Sequence, residues 1–435
     1  MASTYLTKTF GSHGDRTKWT YSAWIKRSGL GSSTSLIGVG SGSNQEHIYF
    51  SSDKIHWWIW TANAYKGRLT TNRLFRDCSA WYHLVFRFDS SNSTAGDRMR
   101  MYVNGVEETS FEHDINPDAD RESWINSTTQ QQIGASGNGS SPFDGYMSHI
   151  NFADGQSLAP TEFGEIDATT GEWKIKASPS ITYGDNGYFI LKNGNSVTDQ
   201  SGEGNNFTVA AGTLTNDKDC PSNVFDTYNP LTITSSDPTL SNRNTKMSST
   251  TGNHWRTGHN NLGMSSGKYY WETKVGTISN SNYCRLGVVS QNLVGTTPTN
   301  KFQGNYAYGI NWYGEKLVNS TLTSSYTSIA TGDIFMFALD LDNNFIYGGR
   351  NGTWISSGDP TSGGSGTNAL SAVQSGQTYF ISGSVYQSSQ ETNFGNGYFG
   401  TTAVSSAGTN ASGNGIFEYD VPSGYTALST KGLNL

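Results

Sequence analysis

The chain has 435 residues, 34% of them hydrophobic, and a formal net charge of −7 at pH 7. That length and apolar content suffice for sizeable cores and favour two domains over one. Asp and Glu (35) outnumber Lys and Arg (28), and no stretch gathers basic residues, so neither nucleic acid nor an anionic membrane is expected as a partner. No run reaches the roughly 18 apolar residues of a membrane span, and Met1 to Trp19 lacks the apolar core of an export signal. A soluble protein with no membrane insertion, made in the cytoplasm, is expected.

Glycine is frequent (51 residues) and aromatics make up 13%, a composition of many short strands joined by turns, and no stretch carries a helical period. The fold class expected is all-β, with two antiparallel β-sandwich (jelly-roll) domains. Cys78, Cys220 and Cys284 are odd in number and far apart; they fit neither a disulfide framework nor a metal site and are read as buried thiols.

In chain order, Trp19 to Lys26 alternates Trp19, Tyr21, Ala23 and Ile25 with Thr20, Ser22, Trp24 and Lys26, which predicts a half-buried strand. Strands follow at 36–39, 47–50 and 54–61, separated by Gly/Ser/Asn or Ser-Ser-Asp turns, then at 81–89 and 98–103, the last ending in Asn104-Gly105. Asn-Gly is a strong hairpin signal because both positions accept φ > 0. Segments 132–134 and 142–150 close the set. The ordered phrases WTYSAWIK, WYHLVF, MYVNG, IG and FDGYM resemble the laminin-G-like branch of the concanavalin A-like jelly rolls, over residues 1–165. That resemblance implies a family of sugar binders, calcium-dependent adhesion modules, hydrolases and structural domains.

Residues 166–240 read as a connector, too apolar for a free linker because Phe189, Leu191, Phe207 and Phe225 need burial. It is expected to pack as extra strands or a fixed bridge. The phrases DQSGEGNNF (199–207) and PSNVFDTYNPL (221–231) resemble a connector found in virion proteins of marine bacteriophages.

The third segment, 241–435, centres on TGDIFMFALDLDNNFIYGGRNGTW (331–354). Phe335, Phe337, Leu339 and Leu341 fall on one face and Ile334, Met336, Ala338 and Asp340 on the other, which predicts a strand buried on both faces. A turn at Asp342-Asn343-Asn344, a return strand and Asn351-Gly352 follow. This order, with Gly267 to Glu272, Cys284 to Val288 and Tyr379 to Phe399, resembles the SPRY domain, a β-sandwich that recognises proteins through its surface loops.

Motifs of catalysis are sparse. Glu165-Ile166-Asp167 begins the Glu-x-Asp-x-x-Glu phrase of a jelly-roll glucanase, but Thr169 and Thr170 stand where the acid/base Glu belongs, so a solvated acidic turn is expected. The eight histidines show no ligand spacing, with His83 and His149 read as satisfied sheet residues. Asp114, Asp118, Asp120 and Asp144 suggest no calcium cage. No phosphate loop and no Gly-x-Ser-x-Gly elbow occurs. The protein is expected not to be an enzyme, with no metal and no cofactor.

Aromatic clusters are the positive signal. In Lys54 to Trp60, Ile55, Trp57 and Ile59 share one face while His56, Trp58 and Trp60 share the other. The second face is either a glycan platform or a core or interface. A second candidate set is Trp255-Arg256 and Trp312-Tyr313, near expected turns, together with Trp354. The resemblances imply a bacteriophage virion surface protein of tail-fibre or spike type, a homo-oligomer in the particle, contacting other virion proteins and binding host-surface polysaccharide or protein. The alternative is an architectural virion subunit that contacts only other virion proteins.

Overall fold

The computed structural model describes residues 4–192, 196–233, 238–250, 255–278, 284–294, 304–311, 313–325 and 329–434. It is all-β: among the described residues every helical turn is a three-residue 3-10 turn, and the sheets are built from antiparallel pairs apart from a two-residue parallel pairing of Tyr269 and Tyr270 with Thr426 and Ala427. Two compact units divide at Met1–Asn216 and Asp217–Leu435. The stretch expected as a connector is therefore shared. Phe189, Leu191 and Phe207 are buried in the first unit, and Phe225 is buried in the second.

The first unit pairs an eight-stranded with a six-stranded sheet. In the larger, Ala64–Thr71, Lys54–Thr61, Asn44–Ser51 and Thr34–Ser41 lie side by side, with Phe111–Ile115 at one edge and Gln131–Ile133 beyond the other side. Two consecutive two-residue turns join the first three of these strands. Ser52-Asp53 and Ala62-Asn63 have φ between 50 and 62° at both positions, the left-handed pair whose twist matches a tight hairpin. Trp57 lies at the centre of the core, with its ring 5.5 Å from Trp19 and 5.7 Å from Phe86 of the facing sheet.

Strand Lys18–Arg27 corrects one expectation, since it is buried on both faces rather than one. Its polar face is covered by chain far away in sequence. Thr20 Oγ1 donates to the Gln156 carbonyl at 2.7 Å, Ser22 bonds His83, and Trp24 stacks on His83 at 4.8 Å. Val85, Tyr102 and Phe163 form a small second core on this outer side.

The second unit has a larger sheet containing Ser388–Asn393, Lys268–Ile278, Ile334–Asp340 and Phe345–Arg350 in that order, and a six-stranded sheet containing Tyr379–Val385, Cys284–Ser290 and Ala307–Asn311. All seven residues of Ile334–Asp340 are buried. Phe335, Phe337 and Leu339 enter the inter-sheet core, where Phe337 stacks on Trp271 at 5.2 Å. Met336 and Ala338 join Tyr270, Tyr347, Phe417 and Tyr425 in a second cluster, which explains why both faces are apolar. Leu341, expected in this strand, lies just outside it and is half-buried. The strand stops at Asp340 because its carboxylate accepts from the backbone N–H and side-chain amide of Asn343, both at 2.9 Å, and so starts the turn. The Asn351-Gly352 turn is present, with φ of 50 and 85°. Cys78 and Cys284 are buried thiols as expected, but Cys220 is only partly buried.

Candidate functional site

Alternation along Lys54–Thr61 sends Ile55, Trp57 and Ile59 into the core and leaves His56, Trp58 and Trp60 half-buried on the outer face of the larger sheet. Register then decides their neighbours. On one side Trp58 pairs with His47, His56 with Tyr49 and Trp60 with Gln45; on the other they pair with Arg68, Thr70 and Tyr65. A continuous aromatic surface results. His47 stacks on Tyr49 at 4.6 Å, Tyr49 on His56 at 4.9 Å, and Trp58 meets His47 edge-on at 5.6 Å. Tyr65, 40% exposed, stands edge-on to Trp60 at 4.7 Å and to Trp58 at 6.2 Å.

Loop 136–140 borders this surface. A Cβ on Gly38, which pairs with His47, would collide with the backbone of Ser136 and Gly137, so glycine is what lets the loop lie against the sheet there. Edge strand Phe111–Ile115 lies on the opposite side and aligns His113 with Thr70 and Ile115 with Arg68. Burial pushes the His47 imidazole down to about 4 and also lowers His56, so both rings are neutral near pH 7 and add aromatic area rather than charge. The Arg68 guanidinium lies 4.6 Å from the Tyr65 ring centroid, a cation–π contact. His47, Tyr49, Tyr65 and Arg68 were not among the residues singled out from sequence; the alternation of His47 and Tyr49 with Glu46, Ile48 and Phe50 was the available signal.

The second candidate set is partly assembled. Trp255 and Arg256 open the first strand of the six-stranded sheet, where the Arg285 guanidinium lies 4.4 Å from the Trp255 ring and Tyr386 lies 6.1 Å away. Tyr313, 45% exposed, follows strand Ala307–Asn311, whose Asn311 pairs with Arg285, so these residues share one end of the sheet. Trp312 falls outside the described residues. Trp354 is half-buried and lines a different feature, a cavity of about 280 Å³ with Ile310, Phe335, Arg350 and Ile355.

The sequence candidates for catalysis separate. Glu165 and Asp167 belong to an exposed hairpin, Gly164–Ile166 with Trp173–Ile175, where Lys174 pairs with both carboxylates and the N–H groups of Thr169 and Thr170 donate to Asp167. His83 is fully buried; its Nδ1 accepts from the Trp173 indole at 2.9 Å, so Nε2 carries the proton and donates to Ser22. That tautomer cannot take a proton from the serine. His149 is half-buried with Nδ1 2.7 Å from Ser148 Oγ. Among the described residues no three His, Cys, Asp or Glu side chains gather as a metal site.

No curated protein matches the chain. Among solved structures, the SPRY domain of human HERC1 is similar at 17% identity and a TM-score of 0.25, covering 34% of this chain and 87% of that one. The native heptameric SAP-like pentraxin from Limulus polyphemus is similar at 14% identity and a TM-score of 0.27, covering 36% and 72%. Residues 2–162 match the laminin-G family described as the concanavalin A-like lectin/glucanases superfamily.

Proposed function

We propose that the first unit recognises saccharide through the Trp58, Trp60 and Tyr65 surface, and that the chain is a non-enzymatic bacteriophage virion protein of tail-fibre or spike type that contacts host-surface glycan during adsorption. One observation carries the reading: three large rings adjoin one another on the water-facing side of a sheet whose other side already forms the core. Isolated apolar residues at a surface are ordinary, but a contiguous aromatic group marks a face that something covers. Indole and phenol rings offer flat apolar area at low entropic cost and a polar edge, which suits the apolar C–H face of a sugar ring. Gln45 and Arg68, paired across from Trp60 and Trp58, supply hydrogen-bonding groups at the margin. The family matched by residues 2–162 is described by lectins and glucanases, and the phrases at 199–207 and 221–231 support the virion assignment by resemblance.

A glycan array probed with the full chain, alongside Trp60→Ala, tests the reading. Binding of a subset of glycans by the parent protein and its loss in the variant is the expected result. An array that stays blank, together with concentration-dependent self-association or capture by another virion protein that Trp60→Ala abolishes, would instead establish the architectural role. The same aromatic face would then be an assembly interface.

A further inference from the structure

We propose that the saccharide this surface takes is acidic, with Arg68 reading a carboxylate or sulfate group while the neighbouring rings hold the sugar. The inference rests on the saccharide reading above and adds the charge of the ligand. Arg68 pairs directly across from Trp58 on one side and from Ile115 on the other, and its guanidinium covers Tyr65 at 4.6 Å. Its Nε is shielded from solvent without a hydrogen-bond partner, and no carboxylate among the described residues pairs with it. On the adjoining strand, by contrast, Lys54 is committed to Glu112 at 2.6 Å. Because Nε is shielded, a ligand can reach only the two terminal guanidinium nitrogens, which make no hydrogen bond among the described residues; held by the ring beneath, that pair is pre-organised for a bidentate oxyanion. The histidines beside it bring no competing anion. The chain as a whole carries a net charge of −7, so general attraction to polyanions does not account for such binding. The recognition is local and weakens with salt.

Two matched pairs of probes test this on the full chain: polygalacturonate against its methyl ester, and dextran sulfate against dextran. Affinity is measured at low and high salt for the parent, Arg68→Gln, Trp58→Ala and Lys431→Gln. Lys431 is an exposed residue of the second unit and reports any unspecific response to losing one positive charge. The expected result is that at least one acidic probe binds tenfold or more tightly than its neutral partner. Arg68→Gln should remove that preference, lowering affinity for the acidic probe tenfold or more and for the neutral probe far less; Trp58→Ala should weaken both members of the pair, and Lys431→Gln neither. The pair that responds separates carboxylate from sulfate. Equal affinity for neutral and acidic probes, or a preference that survives Arg68→Gln or falls equally in Lys431→Gln, overturns the inference and leaves the saccharide reading standing. If none of the four probes binds, or Trp58→Ala changes nothing, the saccharide reading falls and the inference with it.

Discussion

Replacing Phe337 with alanine removes a ring that is fully buried in the inter-sheet core of the second unit and stacks on Trp271 at 5.2 Å and 13°. Buried Phe-to-Ala changes cost about 3–5 kcal/mol, and a stacked aromatic pair adds roughly 0.5–1.5 kcal/mol beyond its buried area, which places Phe337→Ala near the top of the range. For a domain of about 200 residues, each kcal/mol moves the melting temperature by roughly 2–4 °C, so a fall of roughly 8–20 °C is expected. Hydrogen exchange during thermal unfolding, read over residues 334–350, localises the loss to this unit. Leu341→Ala is the internal comparison. Half-buried and beyond the strand end, Leu341 should lose less than half as much. A Phe337→Ala protein that melts like the parent, or a Leu341 variant that suffers equally, would refute the placement of this strand.

Glu46 is fully buried, and its carboxylate accepts from Trp57 Nε1 at 3.1 Å, Ser123 Oγ at 2.5 Å and the backbone N–H groups of Trp124 and Ile125 at 2.8 and 3.2 Å. Glu46→Ala should therefore destabilise the first unit by about 3 kcal/mol or more, since several buried donors lose their acceptor at once, and denaturant unfolding measures it; Glu46→Gln, which keeps one acceptor oxygen, should cost less. In the second unit burial pushes the carboxyls of Asp226 and Glu272 up to about 7. The folded state then holds protons that the unfolded chain releases above the ordinary carboxylate range. Stability from these groups is full below that range and falls as pH rises through about 7, a slope that Glu272→Gln should reduce in melting curves taken from pH 4 to 8. A thiol reagent should label Cys220 first under native conditions, because burial shields Cys78 and Cys284 and pushes both thiols up to about 12; equal rates at all three would contradict their placement.

Much of the architecture was legible because period-two alternation and Asn-Gly turns are local signals. The 54–60 face and the 334–340 strand were read from such patterns. Strand Ala64–Thr71 was not, because Lys66, Gly67 and Arg68 break the apolar period and its turn, Ala62-Asn63, is an unusual pair for positive φ. Missing that strand hid Tyr65 and the Arg68 that covers it. The double burial of Lys18–Arg27 was illegible for another reason: its cover comes from residues near 156–173, and alternation reports polarity, not what long-range packing later places over a polar face. Trp255, Arg256 and Tyr313 were chosen for their nearness to turns, and strand register, absent from sequence, is what gathers them at one sheet end.

The most direct test of the account is a paired measurement on Trp58→Ala: melting temperature and affinity for host-surface polysaccharide in the same preparation. Trp58 is half-buried on the outer face, and the core beneath is filled by Ile55, Trp57 and Ile59. The account predicts that affinity falls by roughly 1–3 kcal/mol, the range seen when bases lose an aromatic stacking partner, while the melting temperature stays within a degree or two of the parent. A variant that binds normally but melts many degrees lower would contradict it, showing that the ring serves the fold rather than a ligand.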